Sequence, residues 1–409
     1  MSAKQILQSW NKLSLPLRIA VGLVLGVFLG IVVPQVQAIG LLGTIFVGAL
    51  KAVAPVLVFV LVVDSLVNAN DHVGRKLGKV IALYLITTFL AAFLAVAASF
   101  LFPVTLTLQA PASAQAPSGI YKVITNLLHS LVENPLLAIT KGNYMGILVW
   151  AIACGFSLKK VATAGTKQSI SEFATALTQV VRWVVNLAPV GVAGLVFSSV
   201  SSKGLGIFKE YGALLLLLAG TMFVMEFIVS PAIVAVLLRR NPYPLVWRCI
   251  KECAITAFFT RSSAANIPMN MRLCDKLGLD KDMYSVSIPL GATINMDGAA
   301  IVITIMALAA ANTLGIRIDF FSALMLSVIS TLAACGTSGV AGGSILLIPL
   351  ACSLLGIPLE VSMQVVGVGF IIGVLQDSLE TALNSSSDVL FAATAEFHTR
   401  RKNGEPFHF

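Results

Sequence analysis

Polar residues are sparse along this chain, and their positions organise it. Long apolar runs cover 17–33, 41–63, 80–101, 144–158, 173–200, 207–238, 284–314 and 361–395. About 20 apolar helical residues cross about 30 Å of hydrocarbon, and most of these runs reach that length, 144–158 being the weakest. Eight membrane-spanning helices are therefore predicted. In the last run Asp377, Glu380, Thr381, Asn384 and Asp388 stand at i, i+3, i+4, i+7 and i+11. At about 100° per residue they fall in one stripe roughly 100° wide. Each carboxylate facing lipid at a helix centre would cost about 2.5–3.5 kcal/mol. The stripe is predicted to face protein, water or a cation.

The second half of the chain is more broken than the first. Up to about residue 200 the runs are plain; beyond Gly204 small and polar residues punctuate them. Two breaks resemble each other. Thr260–Asn266 (TRSSAAN) and Gly336–Gly343 (GTSGVAGG) each lie between apolar stretches of roughly ten residues, too short to cross alone. Lipid cannot satisfy open backbone, so each is predicted to be a re-entrant hairpin whose tip is buried in protein. With loop charges setting the sides, the two hairpins enter from opposite faces, as an inverted repeat would make them. Two tightly packed helices with small-residue contacts would give a similar composition. Between the hairpins, Gly291, Asn295, Asp297 and Gly298 crowd into one apolar run and predict an unwound helix. Its carbonyls and carboxylate suit a hard cation such as sodium; a kink with Asp297 bonded to a neighbouring helix is the alternative.

Composition agrees with a membrane protein: 57% hydrophobic, 11% charged, and a mean hydropathy of +0.94. The first run is followed by more hydrophobic sequence and is read as an uncleaved first helix. The net charge of +9 invites a nucleic-acid partner. The basic residues instead sort by loop, with Lys4, Lys12 and Arg18, then Arg75, Lys76 and Lys79, then Lys159, Lys160 and Lys167 on one side. Arg239, Arg240, Arg248, Lys251 and finally Arg400, Arg401 and Lys402 continue the pattern, and 103–120 carries no charge. This places both termini in the cytoplasm and makes a nucleic acid unnecessary. The six cysteines mostly lie in or beside apolar segments without a C-x-x-C pair, and no histidine pairs with one at metal-ligand spacing.

Four ordered motifs, TRSSAANIPMNMR, SIPLGATINMDGAA, CGTSGVAGG and DSLETALNSSSD, resemble the dicarboxylate/amino acid:cation symporter family, which includes the glutamate transporters. The resemblance implies an all-α polytopic homotrimer in the bacterial inner membrane, surrounded by lipid. It implies eight transmembrane helices plus two oppositely oriented re-entrant hairpins, working as an elevator. Residues 1–78 and 104–203 would form the scaffold (spans 1, 2, 4 and 5). Residues 79–103 (span 3) and 204–409 would form the transport domain, with hairpin 1 at about 243–274 and hairpin 2 at about 320–356. Carried over by position, Ser262 and Ser263 would hold the substrate carboxylate, aided by half-helix dipoles. Gly339 and Val340 would cover the substrate; Asp377 would receive its amino group, with Thr381 and Asn384 as hydrogen-bonding neighbours. Gly291, Asn295, Asn384 and Asp388 match one Na⁺ site. Met296, Thr293 and carbonyls around Thr337 match a second, and Thr87, Thr88, Asn295 and Asp297 a third.

The departures from the family matter for selectivity. Where members that carry acidic amino acids have an arginine on the last helix, this chain has Glu380; Gly373 and Ala299 replace other common residues. A desolvated glutamate repels a second anion by several kcal/mol even at a moderate dielectric. A small neutral amino acid, foremost L-serine or L-threonine, is the expected cargo. A sodium- or proton-coupled acidic amino acid or dicarboxylate symporter is the alternative. Arg261 is expected to pair with Glu380 in some part of the cycle, since neither tolerates mid-bilayer burial alone. A channel would need a pore-lining ring. An enzyme would need a nucleophile with a base, and Ser262 and Ser263 have no evident one.

Overall fold

The computed structural model describes residues 13–68, 75–108, 132–337 and 342–407. Every regular element among them is helical. In chain order these are α1 (Leu15–Val32), α2 (Gly40–Val67), α3 (Arg75–Leu101), α4 (Pro135–Lys141), α5 (Tyr144–Val161), α6 (Ala164–Asn186) and α7 (Ala188–Lys203). Then come α8 (Ile207–Val224), a π-helical turn (Met225–Val229), α9 (Ser230–Leu238), α10 (Tyr243–Cys249), a second π turn (Ile250–Ala254) and α11 (Ile255–Thr260). They are followed by α12 (Ser263–Lys276), α13 (Lys281–Ile294), α14 (Asp297–Thr313), α15 (Phe320–Ala334), α16 (Ile348–Leu354) and α17 (Leu359–Asn403).

Among the described residues five stretches are long and apolar enough to cross a membrane: Gln37–Asp64, Leu77–Leu101, Gly204–Leu238, Lys281–Thr313 and Leu359–Asn403. A sixth is possible only if α6 and α7 count as one span, because they meet at 50°. The run 173–200 is thus bent where the sequence reading drew it straight. Pro189, at the start of α7, explains the bend: it lacks the N–H that would continue the ladder of α6. The same physics opens the π turn at Met225–Val229, since Pro231 cannot donate to the carbonyl one turn back.

The helices form two packing groups. In the first, α7 lies against α1 and α2, and α2 also packs on α5 and α6. Glycines set the closeness. A Cβ on Gly22 or Gly26 of α1 would fall 2.0 Å or 2.5 Å from a main-chain oxygen of α7, and one on Gly194 would fall 2.4 Å from Gly43 N. Apolar helices gain little by leaving lipid for one another, so small residues that let backbones touch hold such contacts. In the second group α14 is enclosed by α3, α15, α16 and α17, and its apolar residues are almost all buried.

Two helical hairpins sit in the second group. In one, α10 and α11 turn at Arg261 and Ser262 into α12; in the other, α15 packs against α16, and residues 338–341 between them lie outside the described residues. The second hairpin also meets the first packing group, bringing Gly336, Gly343 and Leu346 against Leu57, Val58 and Val181. The first hairpin packs instead on α13 and α17.

Candidate functional site

Both hairpin tips converge on one stretch of α17. Arg261 ends α11 in a left-handed conformation, φ 52°, which turns its side chain into the protein, where it is 8% exposed. Its Nε donates to Asp377 Oδ2 at 2.7 Å, and Gly342 N of the second hairpin donates to Asp377 Oδ1 at 3.2 Å. One turn on, Glu380 Oε2 accepts from Ser344 Oγ at 2.6 Å and from Gln376 Nε2 at 2.5 Å. In this structure the partner of Arg261 is Asp377, while two neutral donors serve Glu380. Gln376 and Ser344 were missed by the sequence reading, although Gln376 stands four residues before Glu380, the spacing of facing helical neighbours.

Ser262 caps α12, accepting from Ala265 N at 3.3 Å, and Ser263 is buried beside it. Thr381 Oγ donates to Asp377 O at 2.7 Å, so its hydroxyl is engaged along its own helix. Gly339 and Val340 lie outside the described residues.

The break between α13 and α14 falls at Asn295 and Met296, both off the helical region at φ −97°, ψ 81° and φ −122°, ψ 54°. The unwinding read from the sequence is present, and it gathers oxygen atoms. Asn295 Nδ2 donates to Asp388 Oδ1 at 3.0 Å and to Ser387 Oγ at 2.7 Å. Gly291 adjoins this carboxylate so closely that a Cβ there would lie 2.7 Å from Asp388 Oδ1. Asn270 Nδ2 approaches Asp388 Oδ2 at 3.4 Å, and Tyr84 OH donates to the Asp388 carbonyl at 2.9 Å. Gly291, Asn295 and Asp388 are thus brought together. Asn384 turns the other way, accepting from Gly298 N at 2.7 Å and reaching Met296 Sδ at 3.3 Å.

On the α3 side, Thr88 Oγ donates to Asp297 Oδ1 at 3.0 Å and Thr87 Oγ lies 3.5 Å from Asn295 Oδ1. All four residues, Thr87, Thr88, Asn295 and Asp297, are fully buried. Among the described residues Asp297 Oδ2 accepts no hydrogen bond. A buried carboxylate oxygen without a donor, next to hydroxyl and amide oxygens, fits a hard cation. The set expected around Met296 is only partly assembled. Thr337 is buried with its hydroxyl on Ala334 O, and Cys335 Sγ reaches Ile294 O at 3.4 Å, which joins the second hairpin to the break. Thr293 is exposed and its hydroxyl donates to Leu290 O at 2.7 Å, so a ligand role there falls to its main-chain carbonyl.

A network around Ser385 was also not foreseen. Asn266 Nδ2 and Asn270 Nδ2 reach Ser385 Oγ at 2.6 Å and 3.1 Å, fastening α12 to α17. Asn266 and Asn270 stand four apart in the TRSSAANIPMN motif, so the shared face was present in the sequence.

Residues 15–396 match the family model described as the sodium:dicarboxylate symporter family. The chain is 59% identical over 396 residues to the serine/threonine transporter SstT of Bifidobacterium adolescentis, covering 97% of this chain and 92% of that one. It is 56% identical over 395 residues to a protein of the same name from Streptococcus agalactiae, covering 96% and 98%. A further protein of that name, from Streptococcus thermophilus, is 51% identical over 395 residues, with 96% and 98% covered. Its sequence carries the family pattern over nearly its whole length, and this chain belongs to the sodium:dicarboxylate symporter family.

Proposed function

We propose that this protein is a sodium-coupled symporter that imports L-serine and L-threonine, and not an enzyme. The observation that carries the reading is the convergence of both hairpin tips on Asp377 and Glu380, one helical turn from the oxygen-rich break at Asn295–Asp297. In this reading the α-carboxylate sits at Ser262 and Ser263, where the first turn of α12 offers main-chain donors and a favourable dipole. The α-ammonium binds Asp377, displacing the Arg261 guanidinium, which then swings toward Glu380. Thr381 and Asn384 orient the amino acid, and Gly339 and Val340 close over it.

Glu380 excludes acidic side chains. It is buried, and its partners Ser344 and Gln376 are neutral. An incoming carboxylate would meet it in a region of low dielectric, where two anions repel by several kcal/mol. A small hydroxyl raises no such conflict.

Sodium occupies oxygen sites built from Gly291, Asn295, Asn384 and Asp388; from Met296, Thr293 and Thr337; and from Thr87, Thr88, Asn295 and Asp297. Binding there fixes the break against α17 and α3, which links cation occupancy to the substrate seat one turn away. A tenfold gradient and a 100 mV potential supply about 1.4 and 2.3 kcal/mol per ion. One Na⁺ per zwitterion therefore sustains accumulation of several hundredfold.

The finer architecture belongs to the same proposal. Eight spans and two oppositely entering hairpins form a homotrimer in the bacterial inner membrane, both termini cytoplasmic. Spans 1, 2, 4 and 5 form the scaffold, and residues 79–103 and 204–409 form the elevator. The reading is tested by uptake of labelled serine, threonine and aspartate into proteoliposomes, with and without an inward Na⁺ gradient. Serine and threonine should accumulate only with the gradient. Sodium-independent flux, or aspartate preferred over serine, would overturn it.

A further inference from the structure

Glu226 lies in the π turn between α8 and α9, 7% exposed, in the middle of an apolar span. Its carboxyl group meets one polar side chain, Ser386 of α17, whose Oγ is 3.0 Å from each carboxyl oxygen. Among the described residues no Lys, Arg or His makes an ion pair with it. The titratable groups that face it are Asp297 of α14 and Cys249 of α10, and neither is a cation. Beside it lies a cavity of about 220 Å³, walled by Phe223, Phe227, Phe258, Phe259 and Leu383.

Counting hydrogens assigns the proton. Ser386 has one hydroxyl hydrogen and three acceptors in range: the two Glu226 oxygens and Leu383 O at 3.1 Å. An ionised Glu226 would leave four lone-pair sites to that single, contested hydrogen, beside an apolar cavity. A neutral Glu226 removes the unpaired charge and leaves only its carbonyl oxygen without a donor among the described residues. Its hydroxyl donates to Ser386 Oγ, and Ser386 donates to Leu383 O. The π turns Met225–Val229 and Ile250–Ala254 lie on either side of the same cavity, contributing Glu226 and Phe227 on one side and Ile250 and Ala254 on the other.

We propose that Glu226 is a proton-binding site, held neutral against Ser386 beside the apolar cavity between the two π turns. The neutral acid lets this part of the protein sit in hydrocarbon without an unpaired charge. Loss of the proton places a bare carboxylate there and stalls movement. The last clause rests on the transport reading; the proton site itself does not.

Infrared difference spectroscopy on the full protein in lipid tests the site directly. At neutral pH the wild type should show the carbonyl stretch of a protonated, hydrogen-bonded carboxylic acid that is lost in Glu226→Gln. Ser386→Ala should shift that same band, which preserves the assignment if the glutamine variant does not fold. A wild-type spectrum lacking any band sensitive to either substitution would overturn the proposal. The functional consequence is read by sodium-driven serine uptake against pH. Wild-type uptake should fall about tenfold per pH unit above the titration point, and Glu226→Gln should remove that fall. An alkaline loss of the same steepness in the variant would sink the link to movement. If serine is not taken up at all, the infrared result still decides the proton site.

Discussion

Gly291→Ala is the sharpest available probe of the sodium reading, because the space at that position is defined on the ångström scale. The new Cβ would lie 2.7 Å from Asp388 Oδ1 and 3.1 Å from Tyr84 Cζ, where ordinary contact begins at 3.4 Å. About 0.7 Å must be found, and Tyr84 is pinned by its hydrogen bond to the Asp388 carbonyl. The carboxylate is therefore the group that moves. Its 3.0 Å bond from Asn295 Nδ2 would stretch to roughly 3.7 Å, beyond hydrogen-bond range. Overpacking of this kind costs about 1–3 kcal/mol. Displacing one ligand of a cation site by this amount should raise the half-saturating Na⁺ concentration by about 10- to 100-fold. Serine uptake into proteoliposomes, measured against external Na⁺ at saturating serine, reads this directly. Gly212→Ala is the control, since a Cβ there meets nothing within 4 Å. It should leave Na⁺ dependence unchanged and stabilise its helix by about 0.4–1 kcal/mol. An unchanged Na⁺ half-saturation in Gly291→Ala, in protein that still folds, would refute the assignment of Gly291 and Asp388 to a sodium site.

Asp297→Asn keeps the acceptor for Thr88 but replaces the unpartnered oxygen with a donor or a neutral acceptor. Na⁺ affinity should fall at least about tenfold with little change in thermal stability, as followed by uptake and by a melting assay on the same preparation. Glu380→Arg should weaken serine uptake and admit aspartate, read as competition by unlabelled aspartate; unchanged selectivity would remove Glu380 from the selectivity argument. At the membrane edge, Lys141 and Asn143 donate to Glu133 and hold its carboxyl below the ordinary range. Because the folded value is lowered, that stabilisation is present above the ordinary carboxylate range and is lost as pH falls through it. Lys141 is largely exposed, so Glu133→Gln should lower stability at neutral pH by under about 1 kcal/mol. The difference between variant and wild-type melting points should vanish in acid.

The parts of the site that were legible in the sequence are those where a polar residue violates its apolar surroundings. Asp377, Glu380, Asn384 and Asp388 announce themselves in this way, and so does the break at Asn295–Asp297. What the sequence withheld depends on partners distant along the chain. Ser386 and Glu226 are 160 residues apart, and nothing local ties them. Arg261 had two buried acids within one turn of each other to choose between. Only the tip geometry and the donors already on Glu380 select Asp377. Thr293 reads as a ligand by position, yet the helical phase of α13 turns its side chain outward. The bend at Leu187 was readable, since Pro189 stands two residues on, but the continuous apolar run masked it.

The pairing of Arg261 with Asp377 has an electrical consequence. A guanidinium and a carboxylate at that seat sum to zero, and so do an ammonium and the same carboxylate. In the proposed exchange the displaced guanidinium stays beside Glu380 and the zwitterion brings no net charge, so the total charge around the seat is the same vacant or filled. Voltage, worth about 2.3 kcal/mol per elementary charge per 100 mV, then finds nothing to act on at the amino-acid seat. Under the proposed function, sensitivity to membrane potential is left to the cation sites proposed beside the break.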